Sequence, residues 1–286
     1  MKSAELDGIT IGYEDHGGAH RSGEHYGEHR TADPVLLLVH GHPFDRSMWA
    51  PQVRAFALEG PFRLIVPDLR GYGATTVVPG VTRFSRHAED LAGLLDQLHV
   101  RRVVIGGLSM GGQIAMEFCR LFRDRVEGVV LADTSAAAET EEGRRWRAET
   151  ADRLLREGMT GYADEVLAKM IAPYNVTALP DVARHVRRMM CATDPEGAAA
   201  ALRGRAERPD YRELLTTLDV PALVVVGRDD PYTPVADAKA MHAALPDSEL
   251  VVIEGAAHMP NLERPDAFNA ALGTFLDRFS PLPRSA

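Results

Sequence analysis

Short apolar runs alternate with segments of helical periodicity along most of the chain. The runs within 35–39, 62–68, 101–107 and 126–133 are centred on aliphatic residues, which is typical of strands buried on both faces of a parallel sheet. Between the runs, apolar residues recur every three or four positions, as in 83–98, and this spacing predicts amphipathic helices. The alternation of strands and helices predicts a doubly wound, mostly parallel α/β sheet.

The first residues of the chain follow a different pattern. Residues 5–15 alternate between apolar and polar around an Asp-Gly pair, which predicts an opening strand or hairpin. Residues 16–33 are polar and rich in glycine, and they include four histidines: His16, His20, His25 and His29. We interpret this segment as a long loop rather than a metal site, because metal ligands must be held in place by rigid surroundings.

A long helical insertion interrupts the alternation. Residues 135–216 show only helical patterns, and strands return at 221–227 and 249–255. We therefore predict an α/β core made of residues 1–134 and 217–286, with an all-helical cap, or lid, inserted at 135–216. Ligands of open α/β sheets bind outside the carboxyl ends of the strands, so the cap is expected to cover the binding site.

The composition limits which partners and which cellular compartment we expect for this protein. The chain has 286 residues, of which 45% are hydrophobic and 26% charged, with a net charge of −9; this argues against a nucleic-acid-binding surface. Cys119 and Cys191 are the two cysteines, too few for a disulfide framework or a metal cluster. The sequence shows no apolar stretch of membrane-spanning length and no signal-peptide core. We expect a cytoplasmic protein without a membrane partner; the oligomeric state is not indicated.

The segment 103–118, VVIGGLSMGGQIAMEF, places a serine between a predicted strand and a predicted helix. A Walker phosphate loop would need a GK[ST] ending, and the dinucleotide pattern G-x-G-x-x-G has Leu108 or Ser109 where its second glycine belongs. The pattern that fits is G-x-S-x-G, the nucleophile elbow. Gly107 and Gly111 suit it, because larger residues would collide where strand and helix meet. A serine that only caps the helix is the alternative.

A serine hydroxyl needs a general base, and the base needs an orienting acid. In the elbow architecture both are expected just past later strands, in the order serine, acid, histidine. His258 follows a predicted strand in a loop rich in glycine and alanine. Asp229 and Asp230 follow the preceding strand; of these we choose Asp230. Asp133, at the end of an earlier strand, is a weaker candidate for the acid.

Acyl transfer also requires two backbone N–H donors for the tetrahedral oxyanion. We expect one from Met110, the residue after the serine, and one from His42 in the loop HGHPFD. In this interpretation the side chain of His42 has no role, while His40 and Gly41 are structural. No metal site is predicted, because His40 and His42 lack carboxylate partners at suitable spacing. The chemistry needs no cofactor.

Five motifs, HGHPFD, DLRGYG, GGLSMGG, GRDDPYTP and GAAHMPNLERP, resemble those of the α/β-hydrolase superfamily in order and spacing, over nearly the whole chain. The resemblance implies the α/β-hydrolase fold. It also implies Ser109 as nucleophile, Asp230 as acid, His258 as base, and the amides of His42 and Met110 as oxyanion donors.

Within the superfamily, the motif GLSMGG and the helical lid are similar to 3-oxoadipate enol-lactonases and to cofactor-free bacterial haloperoxidase/perhydrolase esterases. The histidine-bearing loop 16–33 departs from both groups. Haloalkane dehalogenases and epoxide hydrolases use aspartate at the elbow, so Ser109 argues against them. Proline iminopeptidases typically place tryptophan where this chain has Met110.

These features predict a serine hydrolase that cleaves a small carboxylic ester or lactone through an acyl-enzyme intermediate. Alternatives are a carbon–carbon bond hydrolase or a perhydrolase with the same triad, a small-molecule receptor that retains the triad, and a non-catalytic partner-binding domain. The lid is expected to select the substrate.

The candidate pocket residues are large and apolar, although such residues more often form the core. They are Phe44, Trp146 and Met189, together with Met170 and Met190. Arg187 and Arg188 could attract an acidic substrate, but a solvated helix face is the simpler interpretation of this pair.

Overall fold

The computed structural model describes residues 1–17, 34–58 and 62–279. In these ranges, eight strands form one sheet. They are β1 (Lys2–Leu6), β2 (Ile9–His16), β3 (Val35–Val39), β4 (Arg63–Pro67), β5 (Val103–Leu108), β6 (Val126–Ala132), β7 (Ala222–Gly227) and β8 (Ser248–Ile253). Their order across the sheet is β1-β2-β4-β3-β5-β6-β7-β8.

Helices flank this sheet and form the insertion. The α-helices of the described ranges are α1 (Ala50–Val53), α2 (Phe84–Gln97), α3 (Met110–Leu121), α4 (Glu141–Glu157), α5 (Thr160–Met170), α6 (Pro173–Ala178), α7 (Pro180–Ala192), α8 (Pro195–Ala206), α9 (Arg212–Thr217), α10 (Val235–Ala244), α11 (Pro260–Glu263) and α12 (Pro265–Leu276). Single 3₁₀ turns cover Arg46–Trp49, Arg123–Arg125 and Asp277–Phe279, and a π-helical turn covers Arg54–Leu58.

The sheet is parallel from β4 to β8, and the hairpin β1–β2 joins it antiparallel through β2 and β4. The predicted doubly wound, mostly parallel sheet is therefore confirmed. Strand β5 lies at its centre, between β3 and β6, and all six of its residues are buried. The carboxyl end of β5 thus opens onto the middle of the sheet edge, where ligands of this architecture bind.

The described part of the chain holds a hydrophobic cluster on each face of the sheet. One cluster packs residues of α2, α3 and α10 against the sheet, such as Leu91, Phe118 and Met241. The other includes Trp49 and Phe268, and it continues into the insertion. Because the insertion shares a core with the sheet, it is packed as part of the same molecule rather than tethered by a linker.

Helices α4 to α9 form the insertion between β6 and β7, and α8 contacts the core closely. A Cβ added to Gly197 would lie 2.0 Å from the carbonyl oxygen of Gly71, and one added to Gly204 would lie 1.7 Å from that of Thr82. The Thr82 N–H also donates to the Ala200 carbonyl at 3.0 Å. Backbone therefore meets backbone here, and this contact positions α8 against the core.

Two predicted features differ from the structure. His16 is the last residue of β2, where its Nε2 lies 2.8 Å from Glu14 Oε2; the other three histidines of the segment lie outside the described residues. The helix expected near 46–58 is a succession of 3₁₀, α and π turns. None of the helices in the described ranges combines the length and hydrophobicity that a membrane crossing requires.

Candidate active site

Ser109 forms the junction between β5 and α3 in a backbone conformation that non-glycine residues rarely adopt. Its φ is 57° and its ψ is −117°. Its N–H donates to Ala132 O at 2.9 Å, and its carbonyl accepts from Thr134 Oγ1 at 2.7 Å. Surrounding hydrogen bonds therefore hold the strained conformation. The Ser109 side chain makes no capping hydrogen bond to α3, so helix capping does not account for it.

The two glycines of the motif lie where no side chain fits. A Cβ on Gly107 would lie 2.2 Å from the backbone of Gly111, and a Cβ on Gly111 would lie 2.2 Å from Val39 O. Contacts this short are forbidden sterically, so both positions require glycine for space rather than for backbone freedom. The tight turn that results projects the side chain of Ser109 from the sheet edge.

His258 and Asp230 form a buried hydrogen-bonded pair, with side chains 3% and 0% exposed. Nδ1 of His258 lies 2.8 Å from Oδ2 of Asp230. Asp230 also accepts from Thr233 Oγ1 at 2.5 Å and from the N–H of Tyr232 at 2.8 Å. Burial opposes ionisation of Asp230, but the neighbouring His258 and these donors outweigh burial and lower its pKa. The carboxylate is thus kept ionised.

The other two candidate acids have different partners. Asp229 Oδ2 accepts a hydrogen bond from the Tyr174 hydroxyl of the cap at 2.6 Å. Asp133 Oδ1 accepts from the N–H of Gly227 at 2.8 Å. Burial and the nearby Asp230 raise the pKa of Asp133 well above its usual range, whereas the pKa of Asp230 is lowered. Of the three aspartates, Asp230 is the one that His258 contacts.

Asp133, Asp230 and His258 are also the described residues whose polar atoms lie close enough together to hold a metal ion, within 4.8 Å of one another. Two of those atoms are already joined by the hydrogen bond between His258 and Asp230. Oδ1 of Asp133 accepts from the N–H of Gly227, and its buried Oδ2 has no partner among the described residues. The cluster thus consists of the hydrogen-bonded pair His258–Asp230 with the carboxyl group of Asp133 beside it.

The loop after β3 lies directly against Ser109. A Cβ on Gly41 would be 3.3 Å from the Cβ of Ser109 and 3.0 Å from Leu108 O, so the backbone at His42 passes beside the serine. Met110 is the first residue of α3, and its N–H has no acceptor within the helix. Both expected oxyanion donors thus belong to backbone that adjoins Ser109.

The side chain of His42 is more engaged than the sequence interpretation allowed. Its Nδ1 lies 2.7 Å from the hydroxyl of Tyr72, while its buried Nε2 has no partner among the described residues. Burial and the charges of Arg205 and Arg147 lower its pKa well below the usual value. A neutral imidazole therefore lies at the wall of the site.

Ser109 and His258 line the same cavity, whose volume is about 180 Å³. Among the described residues, the hydrogen bonds of Ser109 and His258 run through Ser109 O and His258 Nδ1 and do not join Ser109 Oγ to His258 Nε2. Pockets for drug-sized ligands usually measure ~300–1,000 Å³, so this cavity suits a small substrate. Trp146, Tyr162 and Met170 form part of its cap side.

The other predicted pocket residues lie outside the cavity lining. Phe44 is fully buried and Met189 is 2% exposed, and both belong to the hydrophobic core under the cap rather than to the cavity lining. Met190 is also in that core. The apolar face of α7 packs inward, which leaves its arginines outside: Arg187 pairs with Asp164 at 2.6 Å on the surface.

The sequence interpretation missed the polar lining of the cavity. Its unexpected members are Ser135, Glu139, Arg147, Arg205, Arg208, Tyr232 and Thr233. Four of these residues are charged and belong to the insertion or the segment leading into it, where charged residues on helices usually mark a solvated face. The sequence feature that could have indicated this polar lining is the cluster of arginines near the end of α8. Tyr232 also packs edge-on against the His258 ring, with centroids 5.1 Å apart.

A sheet of this order, with a strained serine at the end of its central strand and a buried His–Asp pair nearby, defines an α/β hydrolase. The family model for the alpha/beta hydrolase family matches residues 36–271, and the chain belongs to that family.

Individual relatives show which kinds of hydrolase this chain is similar to. The chain is 31% identical to 3-oxoadipate enol-lactonase 2 of Acinetobacter baylyi, covering 86% of this chain and 90% of that protein. A thermophilic esterase from Thermogutta terrifontis, solved with malate bound, superposes with a TM-score of 0.87 at 39% identity and covers 96% of both chains. The enol-lactonase from Burkholderia xenovorans LB400 superposes with a TM-score of 0.86 at 30% identity, covering 96% of this chain and 100% of that one. Esterases and enol-lactonases are thus among its homologues.

Proposed function

We propose that this protein is a serine-dependent hydrolase of small carboxylic esters or lactones, with Ser109 as nucleophile, His258 as general base and Asp230 as orienting acid. The observation that carries the proposal is the shared cavity: a strained serine at the sheet edge and an imidazole held by a buried carboxylate line the same small space. Its esterase and enol-lactonase homologues support the substrate class.

The reaction begins with attack of Ser109 Oγ on the substrate carbonyl carbon while the hydroxyl proton passes to Nε2 of His258. The electron pair of the carbonyl moves onto its oxygen, and the N–H groups of His42 and Met110 stabilise that charge. When the carbonyl re-forms, the bond to the alcohol oxygen breaks and His258 protonates the leaving alcohol. In a lactone, that alcohol stays attached to the acyl chain.

The acyl-enzyme is then hydrolysed by the same groups. Water attacks the acyl carbonyl and gives its proton to His258, and collapse of the second tetrahedral species returns that proton to Ser109 Oγ and releases the acid. Asp230 remains ionised throughout and stabilises the imidazolium formed at each step. The three side chains thus account for every proton transfer and for the charge on the imidazolium, and the two backbone amides stabilise the oxyanion.

The test is a panel of small aryl esters, alkyl esters and lactones, run on the wild type and on Ser109→Ala. The wild type should hydrolyse at least one class, and Ser109→Ala should lower kcat by about 10⁵- to 10⁶-fold. A fluorophosphonate should label the wild type at Ser109. Ser135→Ala is the matched control, because Ser135 lines the same cavity without the strained turn, and it should still be labelled.

Two outcomes contradict the proposal. Ester turnover that survives in Ser109→Ala would assign catalysis to another group. Absence of both labelling and turnover in a folded wild type would leave a binding protein that retains the triad. Turnover of a vinylogous diketone or peracid formation in excess of ester hydrolysis would instead favour the carbon–carbon hydrolase or perhydrolase alternative.

A further inference from the structure

The loop that carries His258 is held in place by a buried carboxyl group. Glu263 is the last residue of α11, and its side chain is buried. Its Oε1 accepts a hydrogen bond from the N–H of Ala257, the residue directly before His258, at 2.8 Å. This hydrogen bond therefore fixes the backbone from which the imidazole of the candidate general base extends.

The other oxygen of the Glu263 carboxyl group binds the cap. Oε2 accepts from Nδ2 of Asn175 at 2.7 Å and from the N–H of Ala172 at 2.9 Å. Asn175 is a buried residue of α6, and Ala172 directly precedes that helix. One buried side chain thus joins the cap to the histidine loop, and each of its two oxygens serves one of these partners.

Asn175 also contacts the histidine loop directly. Its Nδ2 donates to the carbonyl oxygen of Gly255 at 2.9 Å, so both hydrogens of the side-chain amide are used. In the same loop, the carbonyl of Ala256 accepts from the N–H of Asp229 at 3.0 Å. The residues before His258 are therefore held both by the cap and by the loop that carries the candidate acid.

The partners of Glu263 explain why a carboxyl group is needed here. All three are N–H donors, and a carboxylate accepts at both of its oxygens. A glutamine would place an NH₂ group against one set of donors, and a buried donor without an acceptor is costly. Neither Glu263 nor Asn175 lines the cavity beside Ser109, so neither is expected to contact the substrate.

We propose that Glu263 and Asn175 form a positioning pair that couples the docking of the cap to the orientation of His258. The pair acts through the backbone of residues 255–257 and holds the general base in its working position while α6 is docked. Covering of the cavity and alignment of the base are then one event. The inference rests on the proposed function for the reaction, although not for the position of the imidazole.

The kinetic test measures kcat and KM of Glu263→Gln and Asn175→Ala for one ester, well below the melting temperature of each variant. Both variants should lower kcat by about 10- to 100-fold, because a misplacement of about 1 Å costs up to that much. Both should keep KM within a few-fold, because the cavity lining is unchanged. The double variant should lose little more than the worse single variant, since both residues act on the same loop.

Glu117→Gln is the matched control. Glu117 is also buried, but its two oxygens accept from Arg120 of its own helix, at 2.8 Å each, so this variant should lose stability and keep kcat. Tyr174→Phe removes the neighbouring hydrogen bond from the cap to Asp229 and should keep kcat within a few-fold. Controls that lose kcat as much as Glu263→Gln would overturn the inference. A higher KM with unchanged kcat in Glu263→Gln would also overturn it, because the pair would then shape only the cap.

A spectroscopic measurement without substrate separates the inference from the proposed function. The proton between His258 Nδ1 and Asp230 should give a downfield proton NMR signal in acid, identified by its absence from His258→Ala. The wild type and Glu117→Gln should share this signal, whereas Glu263→Gln and Asn175→Ala should shift or lose it while their circular dichroism stays unchanged. An unchanged signal in Glu263→Gln would overturn the inference. If the wild type hydrolyses no ester, the proposed function fails, and the signals of the same variants still decide the inference.

Discussion

His258 Nδ1 lies 2.8 Å from Oδ2 of Asp230, whereas the adjacent Asp229 is bonded to Tyr174 of the cap. Two neighbouring carboxylates of one loop therefore face different parts of the molecule. The Asp229 contact joins the loop to the cap, and the Asp230 contact orients an imidazole. This division can be tested directly, because Asn substitution preserves the shape of either side chain.

Asp230→Asn should lower kcat by about 10⁴-fold, because the amide favours the wrong imidazole tautomer and cannot stabilise an imidazolium. Asp229→Asn should retain kcat within a few-fold. Steady-state hydrolysis of one ester by both variants provides the measurement. Equal losses in the two variants would refute the assignment of Asp230 as the orienting acid.

Asp133→Asn should retain activity. Its free energy of unfolding should increase relative to that of the wild type as the pH rises towards neutrality. Burial and the neighbouring Asp230 raise the pKa of Asp133 above its usual value of 3.8. The stabilisation from a raised carboxyl pKa is complete below the unfolded pKa and is lost as the pH rises through the folded pKa. An Asn can keep the Gly227 hydrogen bond without that loss.

Urea unfolding of the wild type and Asp133→Asn across the acid-to-neutral range tests this expectation. The free energy of unfolding of the variant should increase relative to the wild type as the pH rises above about 4. A difference that does not change with pH would show that Asp133 has the same protonation in the folded and unfolded chains.

Glu139→Gln should destabilise the protein at neutral pH and have a smaller effect in acid. Burial opposes its ionisation, but Arg147 and Arg208 outweigh burial and lower the pKa of Glu139 to about 2. The resulting stabilisation is present above the unfolded pKa and is lost as the pH falls towards about 2. Urea unfolding at several acid pH values should show the two proteins converging. A constant gap would contradict the assigned ionisation.

Gly111→Ala should cost about 3 kcal/mol or more of unfolding free energy, because its Cβ would lie 2.2 Å from Val39 O in packed backbone that has no room to relax. Gly161→Ala is the matched control: a Cβ on Gly161 meets nothing within 4 Å, so this helical position should change by ~1 kcal/mol or less, in the stabilising direction. Thermal or urea unfolding distinguishes the two, and equal effects would refute the steric argument.

The sequence by itself was sufficient to predict the architecture and to propose the three side chains of the candidate site. Buried parallel strands are continuous apolar runs, so β3 and β7 could be located within a residue or so from local pattern alone. The tight serine turn carries its steric requirement in Gly107 and Gly111. These features are local, because the physical reason for each lies within a few residues of the chain.

Only the tertiary structure decided which side chains share the cavity. Phe44 and Met189 look from the sequence like pocket residues, but they lie in the core, whereas Arg205 looks like a solvated helical arginine and lines the same cavity as Ser109. Helical periodicity predicts which residues share a face of α7 or α8. It does not predict how each helix is rotated about its axis relative to the sheet. That rotation depends on backbone contacts such as Gly197 with Gly71, which join residues far apart in the chain.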